Sequence, residues 1–222
     1  MGEVIKTRAS DGHAFDTYLA QPKGGPRGGI VLVQEVLGVN DHIKSIADKY
    51  AKKGYLVGVP ALFDRAVSNI ELGYTPKDFV RGQALKEKIG NNLPLRDIAA
   101  TQNIVCASGK VGLIGYCWGG TLAWLASCTV HGFACTTVYY GGGIGILSNV
   151  KPKCPVIFHF GDMDHTISPE EIETIKTNQP GCSVYVYPAA HGFNCKQGTS
   201  FESTSSKIAQ ERTLEHLENY LN

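Results

Sequence analysis

The chain has no excess of charge in either sign. Twenty-one Lys and Arg stand against twenty Asp and Glu, for a formal net charge of +1. That balance removes the case for a nucleic-acid groove or a polybasic membrane surface as a partner. Long apolar runs are missing as well. The opening Met1-Gly2-Glu3-Val4-Ile5-Lys6-Thr7 carries no signal-like apolar stretch, and no segment approaches the ~18 apolar residues of a membrane span. The expectation is a soluble, cytoplasmic protein with no membrane partner. The seven cysteines, at 106, 117, 128, 135, 154, 182 and 195, include no C-x-x-C pair and do not follow the spacing of a zinc module. In a reducing compartment they are thiols, each expected to pack as a small hydrophobe unless its setting makes it chemical. Repeats, low-complexity tracts and linkers are absent too.

Against these absences, 43% hydrophobic and only 18% charged residues argue for a folded core over disorder. A length of 222 residues suits one domain spanning 1–222, large enough to need no staples. Short apolar runs at 29–34, 55–59, 111–115, 136–140, 155–160 and 183–187 alternate with helical patterns near 40–53, 77–89, 95–107, 118–130, 168–178 and 202–221. Continuous apolar strands are those covered on both faces, so this order predicts an α/β fold with a mostly parallel central sheet and helices on both sides. Asn40 is a candidate cap for the first helix, and Ser168-Pro169-Glu170-Glu171 is a strong helix start. Residues 3–20, with Asp11-Gly12 as a turn, predict a hairpin at an antiparallel edge. The segment 63–76 is the longest irregular stretch and a candidate loop over a pocket.

The sharpest chemical signal is Gly115-Tyr116-Cys117-Trp118-Gly119-Gly120, placed between an apolar strand and an apolar helical pattern. This is the setting of a nucleophile elbow, G-x-Nu-x-G at a strand-to-helix turn. The glycines leave room where side chains two residues either side of the nucleophile would collide with strand or helix. A thiolate at a helix N-terminus is stabilised by the helix dipole and by free N–H groups, and the Trp118 N–H is then expected to face the developing oxyanion. Chain order in this class puts the acid and the base after the nucleophile. Asp164, in Gly161-Asp162-Met163-Asp164, is favoured as the acid over Asp162, which suits the turn itself. His191, in the loop after the last strand, is the expected base, with His165 as its rival. His13, His42 and His216 are expected at polar or helical surface. Gln34-Glu35-Val36, at the end of the first core strand, should face the nucleophile and supply the second oxyanion N–H from Val36, with Glu35 near the sulfur. The substrate is expected to be a small molecule.

Taken together, these residues resemble the dienelactone hydrolase (carboxymethylenebutenolidase) family of α/β-hydrolases. The likeness runs through Gln34-Glu35, Lys110–Gly120, Tyr139-Tyr140-Gly141, Gly161–Asp164, His191-Gly192-Phe193 and Glu211-Arg212-Thr213-Leu214, nearly the whole chain. It implies a cofactor-free, monomeric hydrolase that opens a carboxylate-bearing lactone or enol ester through a thioester on Cys117. It also implies that Glu35 takes part in forming the thiolate, and that Tyr140 and Arg81 contact substrate, Arg81 through the substrate carboxylate. A second arginine is implied after the histidine loop, where this sequence instead has Asn194-Cys195-Lys196. A thioesterase or general carboxylesterase on the same scaffold, or a binding protein that keeps the elbow as a structural turn, are the alternative readings.

Overall fold

The computed structural model describes residues 2–221. Eight strands form one sheet in the order β1-β2-β4-β3-β5-β6-β7-β8: β1 Glu3–Arg8, β2 Ala14–Ala20, β3 Gly29–Val33, β4 Leu56–Pro60, β5 Val111–Tyr116, β6 Phe133–Tyr139, β7 Val156–Gly161 and β8 Ser183–Tyr187. The edge hairpin β1–β2 joins β4 antiparallel, and every pairing from β4 to β8 is parallel. Strands β3 and β5 are buried at every position, as their unbroken apolar runs require. Strand β6 starts earlier than its apolar pattern suggests and stops at Tyr139, because Tyr140 takes a positive φ of 37°.

Six α-helices connect and cover the sheet: α1 Asp41–Lys52, α2 Pro76–Ile89, α3 Asn92–Val105, α4 Trp118–Thr129, α5 Pro169–Asn178 and α6 Ser203–Leu221. The alternation of neighbours along β7 separates the two layers. Phe158 packs on Trp124 of α4, while the next residue, His159, lies 3.2 Å from Thr213 of α6. The expected caps are present. Asn40 Oδ1 accepts from the Ile43 N–H at 3.3 Å and Ser168 Oγ from the Glu171 N–H at 3.2 Å. Helix α3 begins three residues before the expected start, with Pro94 tolerated in its first turn. An ionic cluster ties the edge to the body of the fold. Arg65 donates to both carboxylate oxygens of Asp97 on α3, each at 2.7 Å, and to Asp11 in the β1–β2 turn at 2.9 Å.

Candidate active site

The loops that leave the C-terminal ends of β3, β5, β7 and β8 converge at one end of the sheet, where ligands are bound in open α/β folds. The centre is Cys117, between β5 and α4, with φ 54° and ψ −122°. A non-glycine residue in that region is strained, and the surroundings hold it there. Its N–H donates to the Tyr139 carbonyl at 3.0 Å, and its own carbonyl accepts from Gly120 N–H at 2.8 Å. A Cβ on Gly115 would collide with the Gly119 carbonyl, and one on Gly119 with the Val33 and Gln34 carbonyls. The turn therefore admits only glycine on both flanks, and the strain presents the sulfur at the helix N-terminus.

His191 Nε2 lies 3.2 Å from Cys117 Sγ, and its Nδ1 lies 2.7 Å from Asp164 Oδ2. Asp164 Oδ1 accepts from the Thr166 N–H at 2.8 Å and from the Thr166 hydroxyl at 2.7 Å. Burial opposes ionisation of Asp164, but the hydrogen bonds from His191 and Thr166 outweigh it and hold the carboxyl below its ordinary value. An ionised Asp164 accepts only, so His191 Nδ1 carries a hydrogen, and Nε2 faces the sulfur. Burial also works against a charged His191, yet Asp164 and Cys117 on either side hold it well above its usual value. His165 is exposed and takes no part in this chain of contacts, and Asp162 is exposed beside it.

Glu35 is buried, 6% exposed, at the end of β3. Its carboxylate accepts one long hydrogen bond, from the Tyr140 hydroxyl at 3.4 Å. Burial raises its pKa to about 7, against the opposing pull of His191 and Tyr140. Trp118 opens α4, so its N–H has no acceptor within the helix. Among the described residues the Val36 N–H meets no protein acceptor either. The Trp118 ring is fixed by stacking on Phe63 and by donating to Asn91 Oδ1 at 2.8 Å.

A pocket of about 120 Å³ opens over this group, lined by Glu35, Val36, Leu37, Tyr74, Phe79, Cys117, His191, Gly192, Cys195 and 198–200. Tyr74 comes from the irregular 63–76 segment, which does form part of its wall. Two expected substrate contacts lie outside this lining. Arg81 is exposed and absent from the lining. The buried face of α2 is Gly82, Leu85 and Ile89, with Gly82 pressed on the Val36 backbone, and this turns the neighbouring Arg81 outward. Tyr140 is wholly buried and lies behind the pocket. Its ring packs 5.1 Å from that of His191 while its hydroxyl holds Glu35, so it positions two site residues without lining the cavity. His42 and His216, expected at the surface, are 4% and 8% exposed, whereas Cys106, expected to pack inside, is exposed. Sequence reasoning did not single out Thr166, Tyr74 or Phe79. The D-x-T spacing of an Asx turn was the available signal for Thr166.

The parallel sheet, with the Cys117 turn, Asp164 and His191 at the ends of its strands, defines an α/β-hydrolase fold. The sequence profile of the dienelactone hydrolase family matches residues 15–221, and the chain belongs to that family. The carboxymethylenebutenolidase of Pseudomonas putida is 30% identical over 229 residues, covering 97% of this chain and 95% of that protein. A crystal structure from Klebsiella pneumoniae, provisionally named a dienelactone hydrolase, superimposes with a TM-score of 0.87 at 25% identity and covers 99% of this chain and 100% of its own. A dienelactone hydrolase-like promiscuous phosphotriesterase from metagenomic libraries, 17% identical, shares the fold with a TM-score of 0.80 over 98% of both chains. Membership supports a hydrolase of the ester or lactone type.

Proposed function

We propose that the chain is a single-domain hydrolase that opens a small lactone or enol ester through a thioester on Cys117. The observation that carries this reading is the continuous line Cys117–His191–Asp164, with separations of 3.2 and 2.7 Å, on a strained turn that faces a pocket. His191 Nε2 takes the thiol proton, and the sulfur attacks the substrate carbonyl carbon. The Val36 and Trp118 N–H groups hold the resulting oxyanion. As the carbonyl re-forms, the C–O bond breaks and His191 returns the proton to the departing oxygen. Water then attacks the thioester with His191 as base, which releases the acid and restores Cys117. Asp164 keeps the imidazole in the tautomer this sequence needs.

The cationic subsite expected from Arg81 has less support. No Lys or Arg lines the pocket, and its acidic member is Glu35, so a carboxylate on the substrate would meet no fixed counter-charge there. This favours neutral lactones and activated esters over carboxylate-bearing ones. The test is a substrate panel of dienelactone, a neutral enol lactone, an aryl ester and a thioester, run on the native protein and on Cys117→Ala. Turnover of the enol lactone with a mass increase on Cys117 during steady state is expected. Turnover retained by Cys117→Ala would sink the assignment, and a strong preference for dienelactone would restore the anionic subsite.

A further inference from the structure

One corner of the site holds three groups that the hydrolytic cycle does not use together. A carboxylate oxygen of Glu35, a ring nitrogen of His42 and the sulfur of Cys195 all lie within 4.8 Å of one another, and all three residues are buried. They come from separate parts of the chain: the loop after β3, the first turn of α1, and the loop after β8. His42 is 4% exposed and its Nε2 is buried without a hydrogen-bond partner. A buried nitrogen left unpaired opposes folding, so its retention calls for a reason. Cys195 donates its S–H to the Tyr74 hydroxyl at 3.2 Å, and among the described residues Glu35 accepts only the long bond from Tyr140. Each of the three therefore has lone pairs to offer at a common point.

The donor set selects the ion. One thiolate, one imidazole and one carboxylate suit zinc, whereas calcium and magnesium require oxygen ligands. Zinc bonds of ~2.0–2.3 Å in tetrahedral geometry put ligand atoms roughly 3.3–3.6 Å apart. Closing from the observed separation takes small side-chain rotations. Three protein ligands leave the fourth position to water. When Cys195 gives up its proton to solvent and its S–Zn bond forms, the Tyr74 hydroxyl can rotate to donate to the sulfur, a supporting hydrogen bond of the kind metal ligands require.

We infer that Glu35, His42 and Cys195 form a three-ligand zinc site, and that zinc bound there engages Glu35 and fills the pocket wall, holding the hydrolase inactive until the metal is removed. Only the inhibitory half rests on the proposed hydrolytic function. The binding half is therefore read without activity.

Metal-free protein is titrated with Co²⁺, whose bond to a thiolate gives a near-ultraviolet charge-transfer band, and the band is then displaced with Zn²⁺. One ion per chain is expected, with the band kept in Cys117→Ala and lost in Cys195→Ser. His42→Leu, which touches no substrate, should weaken Zn²⁺ binding by more than the ~100-fold that loss of a mere supporting group brings. Thermal melts establish that each variant is folded, and Cys195→Ser, nearly isosteric, decides the matter should His42→Leu fail to fold. Absence of the band, or a band lost in Cys117→Ala and kept in Cys195→Ser, overturns the site. For the regulatory half, zinc should suppress ester turnover reversibly in the native protein and leave His42→Leu running at its unchanged basal rate. Zinc binding that leaves turnover intact overturns that half, while absence of turnover in any form would count against the hydrolytic reading and leave the spectroscopic result standing.

Discussion

Two buried carboxylates in this molecule live under opposite conditions. Asp97, wholly buried on α3, receives two charge-assisted hydrogen bonds from Arg65, whose guanidinium also reaches Asp11. Glu35, almost as deeply buried, receives one long bond from a neutral phenol, and Nε2 of the neighbouring His42 is buried without a hydrogen-bond partner among the described residues. The first arrangement is the usual one for buried charge, which folding tolerates only when it is paired. The second departs from that rule, and such departures collect where groups must stay free to react or to bind. The clamp at Arg65 sits where the edge hairpin meets α3, away from the pocket. The unsatisfied corner sits in the pocket wall.

The most drastic way to test this division is to remove the proposed nucleophile. Cys117→Ala should lower hydrolysis by at least ~10⁴-fold, as loss of a nucleophile acting with its base does, and leave the melting temperature near that of the native protein. Steady-state assays paired with calorimetry check both halves. Arg65→Ala should do the reverse. It strands the Asp97 carboxylate without a counter-charge, and breaking such a pair costs ~3–5 kcal/mol. Urea unfolding should show that loss, while the kcat of the surviving folded protein changes little. Glu35→Gln should go the other way and stabilise. The folded carboxyl titrates at about 7, against 4.5 for the free group. The folded protein therefore holds the extra proton between those values, and stability falls as pH rises through that window. The glutamine variant should exceed the native protein by up to about 3 kcal/mol above pH 7, from ~1.4 kcal/mol per pH unit, with the gain fading to nothing below pH 4.5. A difference that stays flat across pH would mean that Glu35 is paired in solution after all.

The sequence disclosed elements far better than it disclosed neighbours. Apolar runs and caps such as Asn40 and Ser168 act over a few residues, so strand and helix positions were legible within a few places of their true ends. The elbow was legible for the same reason, since Gly115, Cys117 and Gly119 state their steric requirement within five residues. The placements of Arg81 and Tyr140 were not legible, because which way a side chain points depends on a packing partner elsewhere. Gly82 seats α2 on Val36 and so rotates Arg81 outward, while the positive φ of Tyr140 drives its ring under His191. His42 misled because an ordinary polar residue in a first helical turn is normally solvated, whereas here the loops carrying Glu35 and Cys195 lie against it. The corner formed by residues 35, 42 and 195 was beyond reach altogether, as no local spacing joins positions 35 and 42 to position 195.

The smallest effect concerns the backbone beneath the sulfur. If the elbow is strained for function, relieving it should stabilise a protein already inactive. Cys117→Ala keeps a Cβ at φ 54°, and so keeps the strain, which is worth ~1–3 kcal/mol in such regions. Cys117→Gly removes the Cβ and the strain with it. The glycine gives back ~0.5–1 kcal/mol through the greater freedom of its unfolded chain. The net expectation is a glycine variant about 1 kcal/mol more stable than the alanine variant, measured by urea unfolding of the two side by side. Almost everywhere else in a folded chain alanine is the more stable of that pair. An alanine variant equal to or more stable than the glycine one would mean that the turn is relaxed, and that the exposure of the sulfur comes from Gly115 and Gly119 alone.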